Sequence, residues 1–205
     1  MTGGARISRT VGPAPGEAGL TILELLFALS LGAVVVAIAV PEVSHGLDEA
    51  RTSAAARYVS GRLSQARMEA IKRSTRVGYR FVEDGDDFTF APYGDGNNNG
   101  IRTPDILTGV DWRVAADDRL SWKFGAVRFG ILPGVPLIDG SSAGNDPIRL
   151  GSSNILTFSP NGTCSSGALY LHGARQAQYA VQVFGVTGRT RVFKYVRGAS
   201  TWRPL

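Results

Sequence analysis

The sequence has very few of the residues on which most catalytic and metal sites depend. It contains one cysteine, Cys164, and two histidines, His45 and His172. A single cysteine excludes an intramolecular disulfide and a CxxC pair, and the two histidines do not form an obvious metal-binding pair. The sequence also lacks a nucleophile elbow and a Walker phosphate-binding loop. These absences predict a protein that is not an enzyme and needs no cofactor. The enzymatic alternative is a membrane-anchored β domain whose catalytic residues come together only in the fold.

Acidic residues are absent from the C-terminal part of the chain. From Pro147 to Leu205 there are seven lysines or arginines and no aspartate or glutamate, whereas Glu83 to Asp118 has nine acidic residues and two arginines. The net charge of +5 therefore hides two segments of opposite sign. A strongly basic segment attracts polyanions such as nucleic acid. Alternatively, its arginines pair with the acidic part of the same domain or with a neighbouring subunit.

The N-terminal part contains a long apolar run with a single ionisable side chain. The run extends from Leu20 to Val40, and its one charge is Glu24. As a helix it would be about 31 Å long, which is close to the thickness of the hydrocarbon core of a bilayer. A plain anchor and a secretory signal cleaved after Ala39 are both conceivable, but the run exceeds an ordinary signal core. Because a carboxylate is costly in lipid, Glu24 is expected to have a function and a partner.

The residues around Glu24 resemble a known processing signal. Gly19 followed by LTILELL, with Pro41 further on, resembles the class III leader of type IV pilins and type II secretion pseudopilins. The resemblance implies that a prepilin peptidase cuts after Gly19, that the new N-terminal Leu20 is N-methylated, and that Glu24 meets the N-terminal amine of a neighbouring subunit. Losing one partner of such a buried pair typically costs about 3 to 5 kcal/mol. The alternative is that Glu24 merely reaches the lipid headgroups as an incidental polar residue.

Helical periodicity continues beyond the apolar run. Pro41 is expected to kink this helix because proline removes a backbone donor. Apolar residues then recur at spacings of three and four up to Arg73, which predicts one face that packs on a folded domain; they are Ala55, Val59, Leu63, Ala66 and Ala70.

After Arg73 the pattern changes to alternation with glycine-rich turns, which is typical of strands. The predicted strands are Val77–Val82, Phe88–Phe90, Leu120–Phe124, Ala126–Leu132, Ile155–Phe158, Ala168–Leu171, Tyr179–Phe184 and Arg191–Val196. The segment from Leu132 to Pro147 is rich in turn formers and is predicted to be a long surface loop.

The whole pattern resembles the GspH/FimT family of minor pseudopilins and type IV minor pilins. The resemblance implies an α+β, pilin-like lollipop, in which a long N-terminal helix packs on an antiparallel β-rich head of two small sheets. The expected parts are a leader (1–19), a transmembrane or filament-core half of the helix (20–41), an amphipathic half (42–74) and the head (75–205). The chain would assemble with other pilins or pseudopilins near the tip of a type II secretion pseudopilus or type IV pilus. It would sit in the bacterial inner membrane with one pass, its head in the periplasm or on a cell-surface filament.

One sequence element of this family is associated with DNA binding. Certain members bind DNA for uptake through a Gly-Arg-x-Arg element, which here matches Gly188, Arg189, Thr190 and Arg191. In an extended strand Arg189 and Arg191 would point to one side, about 6.8 Å apart, which suits neighbouring phosphates. Together with Lys194 they form the candidate DNA-binding set.

A second candidate site is a partial calcium loop. Asp95, Asn97 and Asn99 occupy positions 1, 3 and 5 of an EF-hand-like pattern, but Ile106 stands where a bidentate glutamate is required. Asp105 is a poor substitute, so any Ca²⁺ affinity should be weak. The alternative is a polar turn in which asparagine and glycine supply positive φ.

Overall fold

The long helix, α1, runs from Ile22 to Arg73 in the computed structural model, which describes residues 21–142 and 144–205. Gly19 and Leu20, the predicted cleavage and methylation residues, lie outside the described residues. The chain divides into two compact units, residues 1–42 and 43–205. After α1 come antiparallel sheets, which confirms the predicted α+β, pilin-like fold.

The described part of the first unit is helical and apolar on all sides. Its side chains are exposed, as shown by Leu23 at 79% and Phe27 at 70%. The most apolar 18-residue window of α1 has a mean hydropathy of 2.5, and none of it is buried. Pro41 lies inside α1, and the helix continues past it. The helix is long and apolar enough to cross a membrane.

The second unit contains eleven strands within the described residues, in two sheets. The first sheet contains β1 (Val77–Asp84), β2 (Asp87–Gly94), β3 (Trp112–Arg113), β4 (Asp118–Arg119) and β7 (Ile155–Phe158). The second contains β5 (Arg128–Phe129), β6 (Ile148–Arg149), β8 (Gly167–His172), β9 (Gln178–Phe184), β10 (Arg189–Val196) and β11 (Thr201–Pro204). The first sheet has the order β3-β2-β1-β7 with β4 also on β2, and the second has the order β11-β10-β9-β8-β5 with β6 also on β8. All these pairings are antiparallel.

The inner faces of both sheets share one core with the C-terminal part of α1. All five residues of the predicted helix face are buried, which confirms that prediction. Three of them are alanines, which let the sheets approach the helix backbone, while Val59 and Leu63 fill the space between the sheets. Burying a side chain such as Leu63 typically contributes about 1.5 to 3 kcal/mol. The helix is therefore an integral part of the core of the second unit.

Polar contacts as well as apolar packing connect the sheets and their turns to α1. The Asp48 carboxylate accepts hydrogen bonds from the backbone N–H groups of Ala174, Arg175 and Ala177, at 2.7, 3.2 and 3.4 Å, in the turn between β8 and β9. In the first sheet, the Tyr58 hydroxyl donates to the nearly buried Asp118 carboxylate, which also accepts from Lys123 at 2.5 Å. The first contact joins α1 to the turn between β8 and β9, and the second joins α1 to β4 of the first sheet.

A loop covers part of the outer face of each sheet. Residues 95–111 include the short helix α2 (Thr103–Thr108) and place Ile101 and Ile106 on Tyr93 of β2. Residues 131–142 place Leu137 on Tyr170 of β8. Each covering loop thus has a small apolar cluster of its own, separate from the main core.

Three sequence predictions about local structure were wrong. Leu120–Phe124 is not a strand but the short helix α3, because Leu120 and Phe124 are four residues apart and both reach the core from one helix face. The strand predicted at Ala126–Leu132 is only Arg128–Phe129. The segment Leu132–Pro147 is not wholly a surface loop, since Val135 and Leu137 are buried.

Candidate functional site

Glu24 lies in the first turn of α1, surrounded by exposed apolar side chains. Thr21 begins the helix, because its hydroxyl oxygen accepts a hydrogen bond from the Glu24 backbone N–H at 3.2 Å. The free N–H groups of a first turn favour a negative charge. Among the described residues Glu24 forms no ion pair. Glu24 is thus the one charged side chain in this apolar part of the described helix.

The Gly-Arg-x-Arg element begins at the end of the β9–β10 turn. Gly188 has φ of +59°, and a Cβ there would lie 2.2 Å from the Gly162 carbonyl oxygen and 2.9 Å from the Arg67 side chain. Arg67 itself donates to that carbonyl at 3.0 Å. The Gly188 N–H closes the turn on the Phe184 carbonyl at 2.8 Å. Only glycine fits both this backbone conformation and this close approach.

Arg189 and Arg191 point away from the core on β10. The side chain between them, Thr190, faces α1, since its hydroxyl lies 2.6 Å from the hydroxyl oxygen of Ser60. Because side chains alternate along a strand, both arginines lie on the outer face of the second sheet, where they are exposed. The structure thus places these two predicted residues together.

Lys194 is not part of this face. Lys194 is four residues after Thr190 in the same strand, so its side chain points to the same face, towards the helix. There it forms an ion pair with Glu49 of α1. The hydrogen bond to Glu49 raises the pKa of Lys194 above its ordinary value. The set of three cations predicted from sequence is therefore corrected to two, Arg189 and Arg191.

The acidic segment is paired within the first sheet and its surroundings. Asp84, Asp86, Asp95, Asp117 and Asp118 form ion pairs with Arg119, Arg128, Arg76, Arg113 and Lys123, respectively. None of these five cations belongs to the basic C-terminal stretch. Of the seven basic residues between Pro147 and Leu205, all of which the structure describes, six are exposed and have no ion-pair partner among the described residues: Arg149, Arg175, Arg189, Arg191, Arg197 and Arg203. Pairing inside the same domain therefore does not account for the basic surface.

In the candidate calcium loop, the oxygens of the buried Asp95 already have partners. One oxygen accepts from the Gly100 N–H at 2.7 Å and forms an ion pair with Arg76 at 3.3 Å, and the other accepts from the Asn97 N–H at 3.3 Å. The amides of Asn97 and Asn99 donate to Asp105 at 3.4 and 3.1 Å. This network describes a polar turn, and calcium binding stays a prediction.

A comparison with protein families matches the domain that contains these candidate sites. The model of the family described as type II transport protein GspH matches residues 55–187. The chain belongs to the GspH family. The match begins in the buried part of α1 and ends at the β9–β10 turn, so it includes neither Glu24 nor Arg189 and Arg191. No curated protein and no solved structure matches the chain.

Membership of the GspH family indicates the general role of the chain. Pseudopilins of this family are structural, non-enzymatic components of type II secretion and related type IV pilus systems, and they associate with other pseudopilins. The apolar N-terminal part of α1 and the family together indicate a single-pass membrane anchor. In this family the role depends on association between subunits.

Proposed function

We propose that the chain is a minor pseudopilin that is processed at Gly19 and enters its filament through Glu24. Prepilin peptidase would cut after Gly19 and Leu20 would be N-methylated, which puts a cation at the start of α1. Glu24 of one subunit would then neutralise the amine of a neighbour in apolar surroundings. The head would lie in the periplasm, near the tip of a type II secretion pseudopilus or type IV pilus.

The observation that carries this proposal is the isolation of Glu24 within the described residues. It is the single charge among exposed apolar side chains, in a window of α1 of which no part is buried. Such a surface needs lipid or other helices to cover it. The helix N-terminus offsets only part of the cost of a carboxylate on that surface, and a processed N-terminus on a staggered neighbour would supply the cation that neutralises it.

Processing is tested by the intact mass and N-terminal residue of the protein recovered from native membranes. The expected product begins at Leu20 and carries one additional methyl group. A chain that begins at Val40, or that keeps Met1, would overturn the proposal, because it would be a secreted or simply anchored domain.

The role of Glu24 is tested by comparing Glu24→Gln with Glu42→Gln. Both changes remove one carboxylate from α1, but Glu42 lies beyond the apolar run. Because Glu24→Gln leaves the amine of the neighbour unpaired, it should lower incorporation into filaments by about 100-fold or more, the equivalent of roughly 3 kcal/mol. Glu42→Gln should assemble normally. Equal incorporation of the two processed variants would contradict the role of Glu24.

A second function, DNA binding by the second sheet, is supported by the unpaired basic surface. Arg189 and Arg191 share one face of β10 and no described acidic residue neutralises them. Exposed arginines of this kind bind phosphates and release counterions. The family match does not extend to these two residues, so this function depends on the structure and on the Gly-Arg-x-Arg resemblance.

DNA binding is tested on the full chain in neutral detergent by fluorescence anisotropy with a labelled oligonucleotide. Replacing Arg189 and Arg191 together with glutamine should weaken binding and reduce the salt slope by about 1.4 to 1.8, the value of two phosphate contacts. The matched control replaces Arg175 and Arg197, which are equally exposed but lie off this strand face. If both pairs have the same effect, binding follows net charge and the assignment to β10 fails.

A further inference from the structure

The strand register places another arginine in line with Arg191. On the second sheet, Arg191 of β10 is directly opposite Gln182 of β9, Gln182 is opposite Ala168 of β8, and Ala168 is opposite Arg149 of β6. Residues directly opposite each other in antiparallel strands share a face. Their neighbours Ile148, Leu169 and Val181 point into the core, so this row lies on the outer face. Three strand spacings separate the two arginines, which is about 14 Å.

A groove of about 540 Å³ lies on the outer face between the two ends of this row. Ala168, Gln182 and Arg149 of this row line it. The apolar residues Leu137 and Ile138 of the loop 131–142 form one wall, and the turn from Phe184 to Thr187 forms another. Phe184 is directly opposite Arg189 in the register and is 40% exposed. The groove therefore combines an accessible aromatic ring with a cation in its lining, Arg149, while Arg189 and Arg191 lie opposite two of its lining residues, Phe184 and Gln182.

Charge in and around the groove is mainly positive. Arg149, Arg189 and Arg191 are exposed and have no ion-pair partner among the described residues. The one acidic residue of the groove in the described part of the chain is Asp139, which accepts hydrogen bonds from the N–H and hydroxyl of Ser141. Asp139 lies near enough to Arg149 for the two charges to interact. Its carboxylate opposes an anion at the Arg149 end of the groove.

We infer that this groove binds single-stranded nucleic acid, with phosphates at Arg149 and Arg191 and a base against Phe184. The inference rests on the proposed DNA-binding function and adds Arg149, the groove and the form of the nucleic acid. A duplex keeps its bases stacked and offers only their edges, whereas an unpaired strand can place a base on an apolar surface. The carboxylates of an acidic peptide would satisfy the arginines, but aspartate and glutamate side chains have no planar ring to place against Phe184.

The test uses the full chain in neutral detergent with fluorescein-labelled oligo-dT as the probe. Arg149→Gln should weaken binding by about fivefold and lower the salt slope by about 0.7, the value of one phosphate contact on a single strand. Arg175→Gln is the matched control, because Arg175 is exposed and unpaired but lies in the turn between β8 and β9. Asp139→Asn, which keeps the turn with Ser141, should strengthen binding by about two- to threefold. A misfolded variant could not produce that gain.

The base contact is tested with Phe184→Ala against two probes of equal charge, oligo-dT and an abasic oligomer of the same length. The variant should weaken binding of oligo-dT by about fivefold and leave the abasic oligomer unaffected, because stacking needs a base. Equal effects on both probes would overturn the base contact.

The outcomes separate this inference from the function on which it rests. If Arg149→Gln and Asp139→Asn change nothing while the Arg189 and Arg191 double variant loses binding, the groove is not used, although DNA binding by β10 stands. If the unchanged protein binds no oligonucleotide, both fail. If polyglutamate of equal charge displaces oligo-dT as well as unlabelled oligo-dT does, the groove recognises acidic polypeptide and the inference is wrong.

Discussion

Replacing Asp48 by alanine should destabilise the second unit by about 2 to 3 kcal/mol. The carboxylate accepts three backbone hydrogen bonds from the turn between β8 and β9. Because two of them are long and lie near solvent, we assign each about 1 kcal/mol, the value of an ordinary hydrogen bond and below the roughly 1.5 to 3 kcal/mol of a bond to a charged group. The higher helix propensity of alanine offsets about 0.5 kcal/mol of the loss. For a unit of this size, the change corresponds to a fall in Tm of about 4 to 12 °C.

The assay is thermal unfolding of the full chain in neutral detergent, with hydrogen exchange of residues 173–177 as a local measurement. Glu49→Ala is the control, because Glu49 is the next residue of α1 and its one partner, Lys194, is partly exposed. An exposed ion pair of this kind contributes about 0 to 1 kcal/mol. Asp48→Asn should fall between the two, since its carbonyl oxygen still accepts. If Asp48→Ala costs no more than Glu49→Ala, and the amides of the turn stay protected, the reasoning is refuted.

Three further predictions concern other parts of the second unit. Burial alone would raise the pKa of Asp118, but hydrogen bonds from Lys123 and Tyr58 outweigh it and hold the pKa below its ordinary value. The ionised Asp118 carboxylate therefore stabilises the fold above about pH 4, and this stabilisation is lost as the pH falls through the lower, folded-state pKa. Between about pH 5 and pH 2 the midpoint of urea unfolding should thus fall less for Asp118→Asn than for the unchanged protein. Gly188→Ala should cost about 1 to 3 kcal/mol and weaken oligonucleotide binding, because the turn that positions Arg189 must shift; an unchanged Tm would contradict this. Calorimetry should give no calcium affinity tighter than about 1 mM, since Asp95 would have to leave Arg76, and a tighter site would contradict that expectation.

Periodicity predicted the parts of the fold in which one repeat dominates. The buried helix face from Ala55 to Ala70 follows the 3.6-residue repeat over several turns, so no other element could produce it. The five residues Leu120–Phe124 are too few for that distinction, because alternation and a spacing of four both place Leu120 and Phe124 on one side. The last strand, β11, was missed because its four residues include an arginine and a proline and only pair with β10 in space.

The candidate site shows a similar limit. The alternation of side chains along a strand could have shown that Lys194 lies on the opposite face from Arg189 and Arg191, because position 194 is even and the other two are odd. The structure agrees with this alternation. No sequence pattern could have placed Arg149 with Arg191, because their alignment depends on the registers of three strand pairs. Residues that share a strand can be grouped from sequence, whereas residues that share only a sheet face need the fold.

The sequences and lengths of the two covering loops can vary without altering the main core of this fold. Residues 95–111 and 131–142 each bury apolar residues against the outside of one sheet, in clusters that are distinct from the core around α1. A change in the length or sequence of either loop would alter the exterior of the subunit and leave the helix and the inner sheet faces intact. Pseudopilins that share this helix and core can therefore differ in their outer surfaces, so that each offers its associated pseudopilins and its surroundings a distinct exterior.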